Sequence, residues 1–362
     1  MLQHLDLMGL RLPLSRPLRL RPDRYISRTQ RQLVLALTLV LSLGVVEPVL
    51  NPPAAAACFF WQACARQRGR ASNTRAGGKR TGRIIGGNDA SLPYVISPRN
   101  AWIQHPGQSY TIRWNPVEGA DSYTVRIWRW TLERDRPEIA LWERMTVDNT
   151  PSLTFPELVP LDTGYYYSIE VVTDTGVSSD LDEGYYESGF QLLFEEDYEE
   201  LRSQLSNVTP GVSAESTLTV GDPTEEAILA RAGVFFLEEM YADALTALQS
   251  LAERPTASDL VYTALGDTYS QSGLNQLAID AYQQALTLAM ADANVLSEAT
   301  IRVNLADVYA TLGLFEDALQ QLSLARAAYE QLEEETEIDR LDRRIDIISN
   351  RLLRSGEELP TP

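Results

Sequence analysis

The sequence has few of the side chains that most often carry catalysis and metal binding. It holds two histidines, His4 and His105, and a single lysine, Lys79. Histidine is the commonest general base and metal ligand, so a Ser-His-Asp relay or a multi-histidine zinc site would have to be built around His105. The two cysteines, Cys58 and Cys64, are too few for a four-cysteine metal site. We therefore expect a non-catalytic protein with no cofactor and no metal.

Basic side chains are also scarce over most of the chain. Residues 1–93 hold 14 basic and 4 acidic side chains, a net of +10, whereas residues 94–362 hold 17 basic and 46 acidic ones, a net of −29. Binding to a nucleic-acid backbone depends on Lys and Arg, so the acidic body argues against nucleic acid and favours protein surfaces with basic patches. The length of 362 residues indicates two or three folded units, and a hydrophobic content of 44% argues against global disorder.

A short apolar run near the N-terminus predicts export. Leu33–Val46 is 14 residues long and follows seven arginines, which suits a signal peptide better than a membrane span of about 20 residues. The alanines at 54–57 offer cleavage sites. Residues 1–57 are thus predicted to be a signal peptide or, in the alternative, a signal anchor that tethers the chain to a membrane through residues 33–50. The exported body would be periplasmic or otherwise extracytoplasmic.

The cysteines that follow this segment allow two interpretations. Ala55-Ala56-Ala57-Cys58 weakly resembles a lipoprotein box, which would place a lipid on Cys58, but it has Ala where the box has Leu. Cys58 and Cys64 can instead close a small disulfide loop in an oxidising compartment. Residues 66–93 are rich in Arg, Gly, Ser and Asn without apolar periodicity, so we predict a basic flexible linker over residues 58–93.

Short alternating runs over residues 94–194 predict β-strands. The runs are Tyr110–Trp114, Tyr123–Trp128, 141–147, 165–171 and 190–194. Turn residues separate them, and this pattern is typical of an antiparallel sandwich. Residues 174–184 carry four acidic side chains without the ordered spacing of a calcium-binding loop. We therefore expect a solvated hairpin loop there.

Within this region the residues resemble a fibronectin type III domain. Trp114 with Pro116 is similar to the Trp motif of the family's second strand, and Tyr123 is similar to the Tyr of its third strand. A later set resembles the LxPxTxY corner, with one extra residue after its proline: Leu158, Pro160, Thr163 and Tyr165. The extra residue leaves the corner hydroxyl to any of three tyrosines, Tyr165–Tyr167. The resemblance implies an immunoglobulin-like β-sandwich without chemistry of its own.

Residues 195–223 connect this region to the C-terminal part. Apolar side chains recur at helical spacing in the first half: Phe194, Tyr198, Leu201 and Leu205. We predict a short linking helix there. Ser206–Pro223 is rich in Ser, Thr, Gly and Pro, so we predict that it is an interdomain linker.

Residues 224–355 show internal self-similarity, the signature of a helical repeat array. The clearest copy contains Leu265, Gly266, Tyr269, Gly273, Ala278, Tyr282 and Ala285. The next copy contains Leu305, Ala306, Tyr309, Gly313, Ala318 and Ala325. A degraded earlier copy contains Ala232, Phe235, Ala244 and Leu248. The spacing within these copies resembles that of tetratricopeptide repeats (TPRs).

The resemblance implies an all-α TPR superhelix of about three repeats. Ala244 and Ala278 are 34 residues apart, the period of the family, but Ala278 and Ala318 are 40 apart. We expect the six inserted residues to lengthen the second helix of the middle repeat near Ala291–Glu298. An apolar stripe then predicts a capping helix, formed by Ile338, Leu341, Ile345, Ile348 and Leu352. Residues 356–362 are predicted to be a tail.

TPR arrays bind peptides or partner proteins in a concave groove lined by the first helix of each repeat, and the resemblance assigns such positions here. In the middle repeat they are Leu260, Thr263, Asp267, Ser270 and Gln271. In the last repeat they are Thr300, Val303, Asp307, Ala310 and Thr311. In the first repeat they are Glu226, Leu229, Gly233, Phe236 and Leu237. The Lys–Asn clamp of chaperone-binding TPRs has no match, so capture of a C-terminal carboxylate is not expected.

The leading hypothesis is an exported adaptor that binds a protein partner or peptide through the TPR array. The order of the modules resembles that of exported bacterial TPR proteins. An alternative is an envelope-polymer or glycan-binding module that uses sandwich aromatics such as Trp128 and Trp130. A hydrolase with paired carboxylates is the third hypothesis, but the acidic residues fall mostly in helix-surface runs such as Glu333–Glu335.

Overall fold

The computed structural model describes residues 85–104, 110–130, 139–146, 148–155, 161–185, 189–208 and 224–357. The predicted signal segment, both cysteines and His105 lie outside the described residues, so export, lipidation and membrane tethering stay predictions. Within the described part, no helix is both long and apolar enough to cross a membrane. All the described residues belong to a single compact unit, Ala54–Pro362.

In the described part of the chain, eight strands precede the helices and form two sheets. They are β1 (Val95–Ser97), β2 (Ala101–Ile103), β3 (Tyr110–Trp114), β4 (Tyr123–Trp130), β5 (Ile139–Met145), β6 (Ser152–Phe155), β7 (Tyr166–Thr173) and β8 (Phe190–Leu192). One sheet has the order β1-β3-β6 and the other the order β2-β8-β7-β4-β5. β4 is antiparallel to both β5 and β7, and β2 is parallel to β8. The predicted immunoglobulin-like sandwich is confirmed.

The alternating strands place one set of side chains between the sheets. In β4 the buried residues are Tyr123, Val125 and Ile127, and the residues between them are part-exposed. Trp114 is 1% exposed, and its ring meets that of Tyr123 edge-on at 5.2 Å. These contacts explain why the two aromatics belong to the core, since an edge-to-face pair stabilises packing beyond the area it buries.

The corner before β7 is closed by Tyr167. Its hydroxyl accepts a hydrogen bond from the Asp162 N–H at 2.7 Å and donates one to the Asp162 carbonyl at 3.0 Å. This is the arrangement of a tyrosine corner. The hydroxyl that the sequence left among three tyrosines is therefore that of Tyr167.

The described C-terminal part consists of eight α-helices. They are α1 (Glu195–Val208), α2 (Glu225–Leu237), α3 (Tyr241–Ala252), α4 (Asp259–Gln271), α5 (Asn275–Ala291), α6 (Val295–Thr311), α7 (Phe315–Gln331) and α8 (Glu335–Glu357). The pairs α2/α3, α4/α5 and α6/α7 are hairpins, and α8 packs on α7 as the predicted capping helix. The structure thus confirms a β-sandwich followed by a TPR array.

Small residues and left-handed turns set the geometry of each hairpin. A Cβ on Gly266 would lie 2.5 Å from the Tyr282 ring, so only glycine allows α4 and α5 to approach this closely. Gly273 and Gly313 have φ of 75° and 76°, as expected after a helix that ends in a left-handed residue. The six-residue insertion lengthens the second helix of the middle repeat, α5, as predicted, and also the first helix of the last repeat, α6. α5 and α6 each have 17 residues.

The sandwich and the helices share an interface. Ala242 of α3 belongs to the sandwich core, whereas Ala101 of β2 belongs to the core of the first two hairpins. α1 buries Tyr198, Leu201 and Leu205 against α2 and the turn after it. The helix that the sequence predicts as a link between domains is therefore packed on the first repeat, and it helps to join the two modules.

A buried ion pair lies at the centre of this interface. Arg99 and Asp182 are joined at 3.0 Å, and both side chains are almost fully buried. Arg99 Nε also donates to the Ser272 carbonyl at the end of α4, at 3.0 Å. Asp182 accepts from the Gly87 N–H at 2.8 Å. Asp182 is thus a buried partner of Arg99, although the sequence predicts a solvated loop there.

The last residues of the predicted basic linker also contribute to the interface between the sandwich and the helices. Gly86 and Gly87 are buried, and Gly86 forms a β-bridge with Leu274 at the turn between α4 and α5. A Cβ on Gly86 would lie 2.3 Å from both Arg99 Nη2 and the Glu183 carbonyl. This part of the segment is therefore packed between the two modules.

Candidate functional site

The candidate site is the set of predicted groove positions on α4 and α6, called here the groove face. Most of them are half-buried: Leu260, Ser270, Gln271, Thr300, Val303, Asp307, Ala310 and Thr311. Thr263 and Asp267 are buried, with 8% and 2% exposed. In the first repeat Leu229, Gly233 and Phe236 are buried, whereas Glu226 and Leu237 are exposed. The groove face is therefore concentrated on the middle and last repeats.

Asp267 binds residues of the array itself. Its Oδ1 accepts a hydrogen bond from the Tyr282 hydroxyl of α5 at 2.5 Å and one from Asn304 Nδ2 of α6 at 3.3 Å. Asp267 is the ninth residue of α4, and its side chain reaches α6, the first helix of the next repeat, which leaves it 2% exposed. Asp267 is therefore a buried residue that links helices of the array, and its role as a contact residue for a partner stays a prediction.

Asp307 is held in an equivalent way. Arg344 of α8 donates to its carboxylate, and the two residues are 37 positions apart, as are Asp267 and Asn304. The same acidic position thus links each first helix to the helix that follows it in the stack. Because both carboxylates are already bonded, neither is a free negative charge for a partner.

The threonine hydroxyls of the groove face are also engaged. Those of Thr263, Thr300 and Thr311 each bond to the backbone carbonyl four residues earlier, at 2.8, 3.0 and 2.8 Å. Such bonds satisfy a hydroxyl within its own helix. With its acids and these hydroxyls already bonded, the groove face offers mainly small and aliphatic surface together with Ser270 and Gln271. The groove positions stay a prediction from the sequence, and the sequence gives no sign of this lack of free charge.

The aromatics of the alternative hypothesis lie on the outer face of the five-stranded sheet. Trp128 and Trp130 are part-exposed and occupy alternate positions of β4. The Trp128 indole N–H donates to Glu170 at 3.0 Å, and that of Trp130 donates to Ser168 Oγ at 2.8 Å. Both indole donors are thus used within the sheet, while part of each ring surface stays accessible.

One titratable group that sequence reasoning missed lies at the interface of the modules. Asp243 of α3 accepts from Gln104 Nε2 at 3.3 Å, and its other oxygen is buried. Burial raises the pKa of Asp243 to about 7, against the opposing effects of Gln104 and of the Arg231 charge. In the sequence Asp243 is one more acid in the first turn of a helix, so nothing local marks it.

In the ranges that the structure describes, no group of three or more His, Cys, Asp or Glu side chains is arranged to hold a metal ion. The acids of the groove face are bonded to residues of the array, and the raised pKa of Asp243 belongs to an interface between modules. What the arrangement can do is hold another chain by shape and apolar contact.

One comparison with known proteins identifies part of the helical region. Residues 259–331, which comprise α4 to α7, match the family model described as tetratricopeptide repeat. The chain matches no curated protein. A solved structure, the crystal structure of BtubC (BKLC) from P. vanneervenii, is 22% identical with a TM-score of 0.31, and the match covers 35% of this chain and 54% of that one. The chain therefore spans about half the length of that structure.

Proposed function

We propose that this protein is an exported, non-catalytic adaptor that holds a segment of a partner protein on the groove face of its TPR array. In this proposal the fibronectin type III-like sandwich is a rigid module fixed to the first two repeats, and residues 1–57 direct export or anchor the chain. The observation that carries the proposal is the TPR match over α4 to α7, together with a groove face whose acids are already bonded.

The state of the groove face changes the kind of partner that we propose. The strongly acidic body favours a basic partner, but Asp267 and Asp307 are bonded to Tyr282, Asn304 and Arg344. An unpaired cation brought against this face would lose water without gaining a free carboxylate. We therefore propose that the bound segment is uncharged and apolar where it lies against Val303 and Ala310.

The polymer-binding alternative has weaker support. The indole N–H groups of Trp128 and Trp130 donate hydrogen bonds to Glu170 and Ser168. Only the ring faces are therefore left for a ligand. Half-buried aromatics on a sheet are commonly cross-strand packing. The groove face is therefore the surface to test first.

Site-specific photocrosslinking in cells tests the proposal. A photoreactive residue is placed in the full-length chain at Ser270, Thr300 or Thr311. Matched control positions are Gln284 and Gln320, which are exposed on the second helices α5 and α7. We expect a discrete protein adduct from the groove positions and none from the controls, because the two sets lie on different helices of each hairpin.

A positive charge introduced on the groove face provides a second test of the proposal. Thr311→Arg should remove the adduct formed from Thr300, since an unpaired guanidinium is costly to bury against an apolar segment. Adducts of equal yield from groove and control positions, or none from any groove position, would contradict the proposal.

A further inference from the structure

The outer side of the capping helix α8 carries a row of arginines. Leu341 and Ile348 are buried against α7, and the opposite side presents one residue per turn: Arg343, Ile347, Arg351 and Arg354. These four residues are called here the arginine strip. All are exposed, and Ile347 is 53% exposed. At 1.5 Å per residue the strip is about 17 Å long.

In the part of the chain that the structure describes, the arginines of the strip differ from their neighbours in having no acidic ion-pair partner. Arg340 pairs with Glu337 at 2.8 Å, and Arg326 of α7 pairs with Asp342 at 2.5 Å. Among the residues that the structure describes, no carboxylate lies within ion-pair distance of Arg343, Arg351 or Arg354. A favourable interaction with the helix C-terminus accounts for Arg354 but not for Arg343, which lies near mid-helix.

Arg344, a half-buried residue of α8, shows what an arginine of this helix binds on the side that faces the array. It follows Arg343 directly and pairs with the Asp307 carboxylate of α6. The same helix therefore already accepts a carboxylate from a neighbouring element. The strip presents further guanidinium groups to solvent, and the exposed apolar side chain of Ile347 lies between two of them.

We propose that the arginine strip is a second protein-binding surface, which takes an acidic segment whose carboxylates flank an apolar side chain lying on Ile347. Guanidinium groups suit this role because their donors match carboxylate geometry. The surface is separate from the groove face and does not depend on it. A segment that follows the helix would place acids about one per turn, in register with Arg343 and Arg351.

The charges beside the strip favour a narrow acidic chain over an anionic membrane. Asp339 and Asp346 are exposed on the same helix, one turn or less from Arg343. A flat anionic surface would meet these carboxylates together with the arginines, whereas a single segment contacts the strip alone.

Fluorescence anisotropy with synthetic peptides tests the inference on the full-length chain. The probe is a labelled peptide with glutamates at every fourth position on either side of a leucine, and its partner has glutamines instead. We expect the glutamate peptide to bind at least about tenfold more tightly, with an affinity that falls as salt rises. Arg343→Gln with Arg351→Gln should weaken it about tenfold.

The matched control removes two arginines outside α8, the exposed Arg144 and the half-buried Arg202, as Arg144→Gln with Arg202→Gln, and should leave the affinity unchanged. The groove variant Thr311→Arg should also bind the glutamate peptide normally, so failure of one surface is distinguishable from failure of the other. Equal binding of the two peptides, or no binding of the glutamate peptide, would overturn the inference. So would loss of cosedimentation with phosphatidylserine vesicles in the strip variant without any peptide binding, since the surface would then recognise lipid.

Discussion

Asp267 illustrates how the fold decides what a single side chain does. Its position in the repeat predicts a groove residue, and the groove positions around it are indeed part-exposed. The carboxylate is nevertheless buried, because the next first helix supplies Asn304 and the second helix supplies Tyr282 as donors. The repeat spacing gives the direction of the side chain, but its depth depends on how closely the helices stack.

The Asp267 carboxylate should therefore matter for stability. Asp267→Ala removes the acceptor of two buried donors, and we expect the free energy of unfolding to fall by about 2–3 kcal/mol. Asp267→Asn keeps one acceptor oxygen and should cost less. Urea denaturation measures both, with Asp280→Ala on the exposed side of α5 as a control that should change stability by under about 0.5 kcal/mol. Equal effects at the two positions would show that Asp267 is not structural.

At the scale of elements, the sequence predicts those strands and helices that show a local periodicity. β3, β4, β5, β7 and the helical hairpins are long enough for alternation or repeat spacing to mark them. β1 and β2 have three residues each and β6 has four, and these strands were not predicted. β8 is equally short, but it lies in the longer run 190–194 that the sequence marks. The interface between modules was not predicted either, since Arg99 meets a carbonyl 173 residues away and no local pattern records such a pairing.

That interface should make the two modules unfold together. The five described tryptophans all lie in the sandwich: Trp102, Trp114, Trp128, Trp130 and Trp142. Tryptophan fluorescence therefore reports the sandwich, while circular dichroism at 222 nm reports the helices. In the unmodified chain we expect the two denaturation curves to coincide.

Breaking the buried ion pair should separate those curves. Arg99→Met leaves Asp182 as an uncompensated buried charge, which we expect to cost about 3–5 kcal/mol and to make the sandwich melt before the helices. Arg144→Met, at an exposed arginine of β5, is the matched control and should leave the curves together. Coincident curves for Arg99→Met at an unchanged midpoint would show that the ion pair does not couple the modules.

At the scale of the whole molecule, several carboxylates of the acidic body form hydrogen bonds or ion pairs with residues of the protein itself. Asp182, Asp267 and Asp307 are each bonded to another element, so net charge alone misrepresents the surface offered to a partner. The sequence could predict the total charge and the groove positions. It could not predict which charges remain free, because that depends on contacts between residues distant along the chain.

A buried carboxyl also makes the stability of the fold depend on pH, and Asp243 is the example. Its side chain lies between Gln104 of the sandwich and Arg231 of α2, with the Tyr110 hydroxyl of β3 among its electrostatic neighbours. Burial raises the pKa of Asp243 to about 7, whereas an unfolded chain leaves an aspartate near its ordinary value of about 4. The folded chain therefore keeps a proton that the unfolded chain releases between these two values.

The contribution of Asp243 to stability should thus be complete below about pH 4 and be lost as pH rises through about 7. Asp243→Asn mimics the protonated carboxyl at every pH, so the comparison isolates this one group. We expect the unfolding free energy of the unmodified chain, relative to that of Asp243→Asn, to fall by a few kcal/mol, on the order of 3, between pH 4 and 8. Urea denaturation across that range measures it, with Asp280→Asn as the exposed control. A difference that stays flat with pH would mean that the carboxyl at the interface is ionised and compensated, and that the two modules do not meet across a protonated acid.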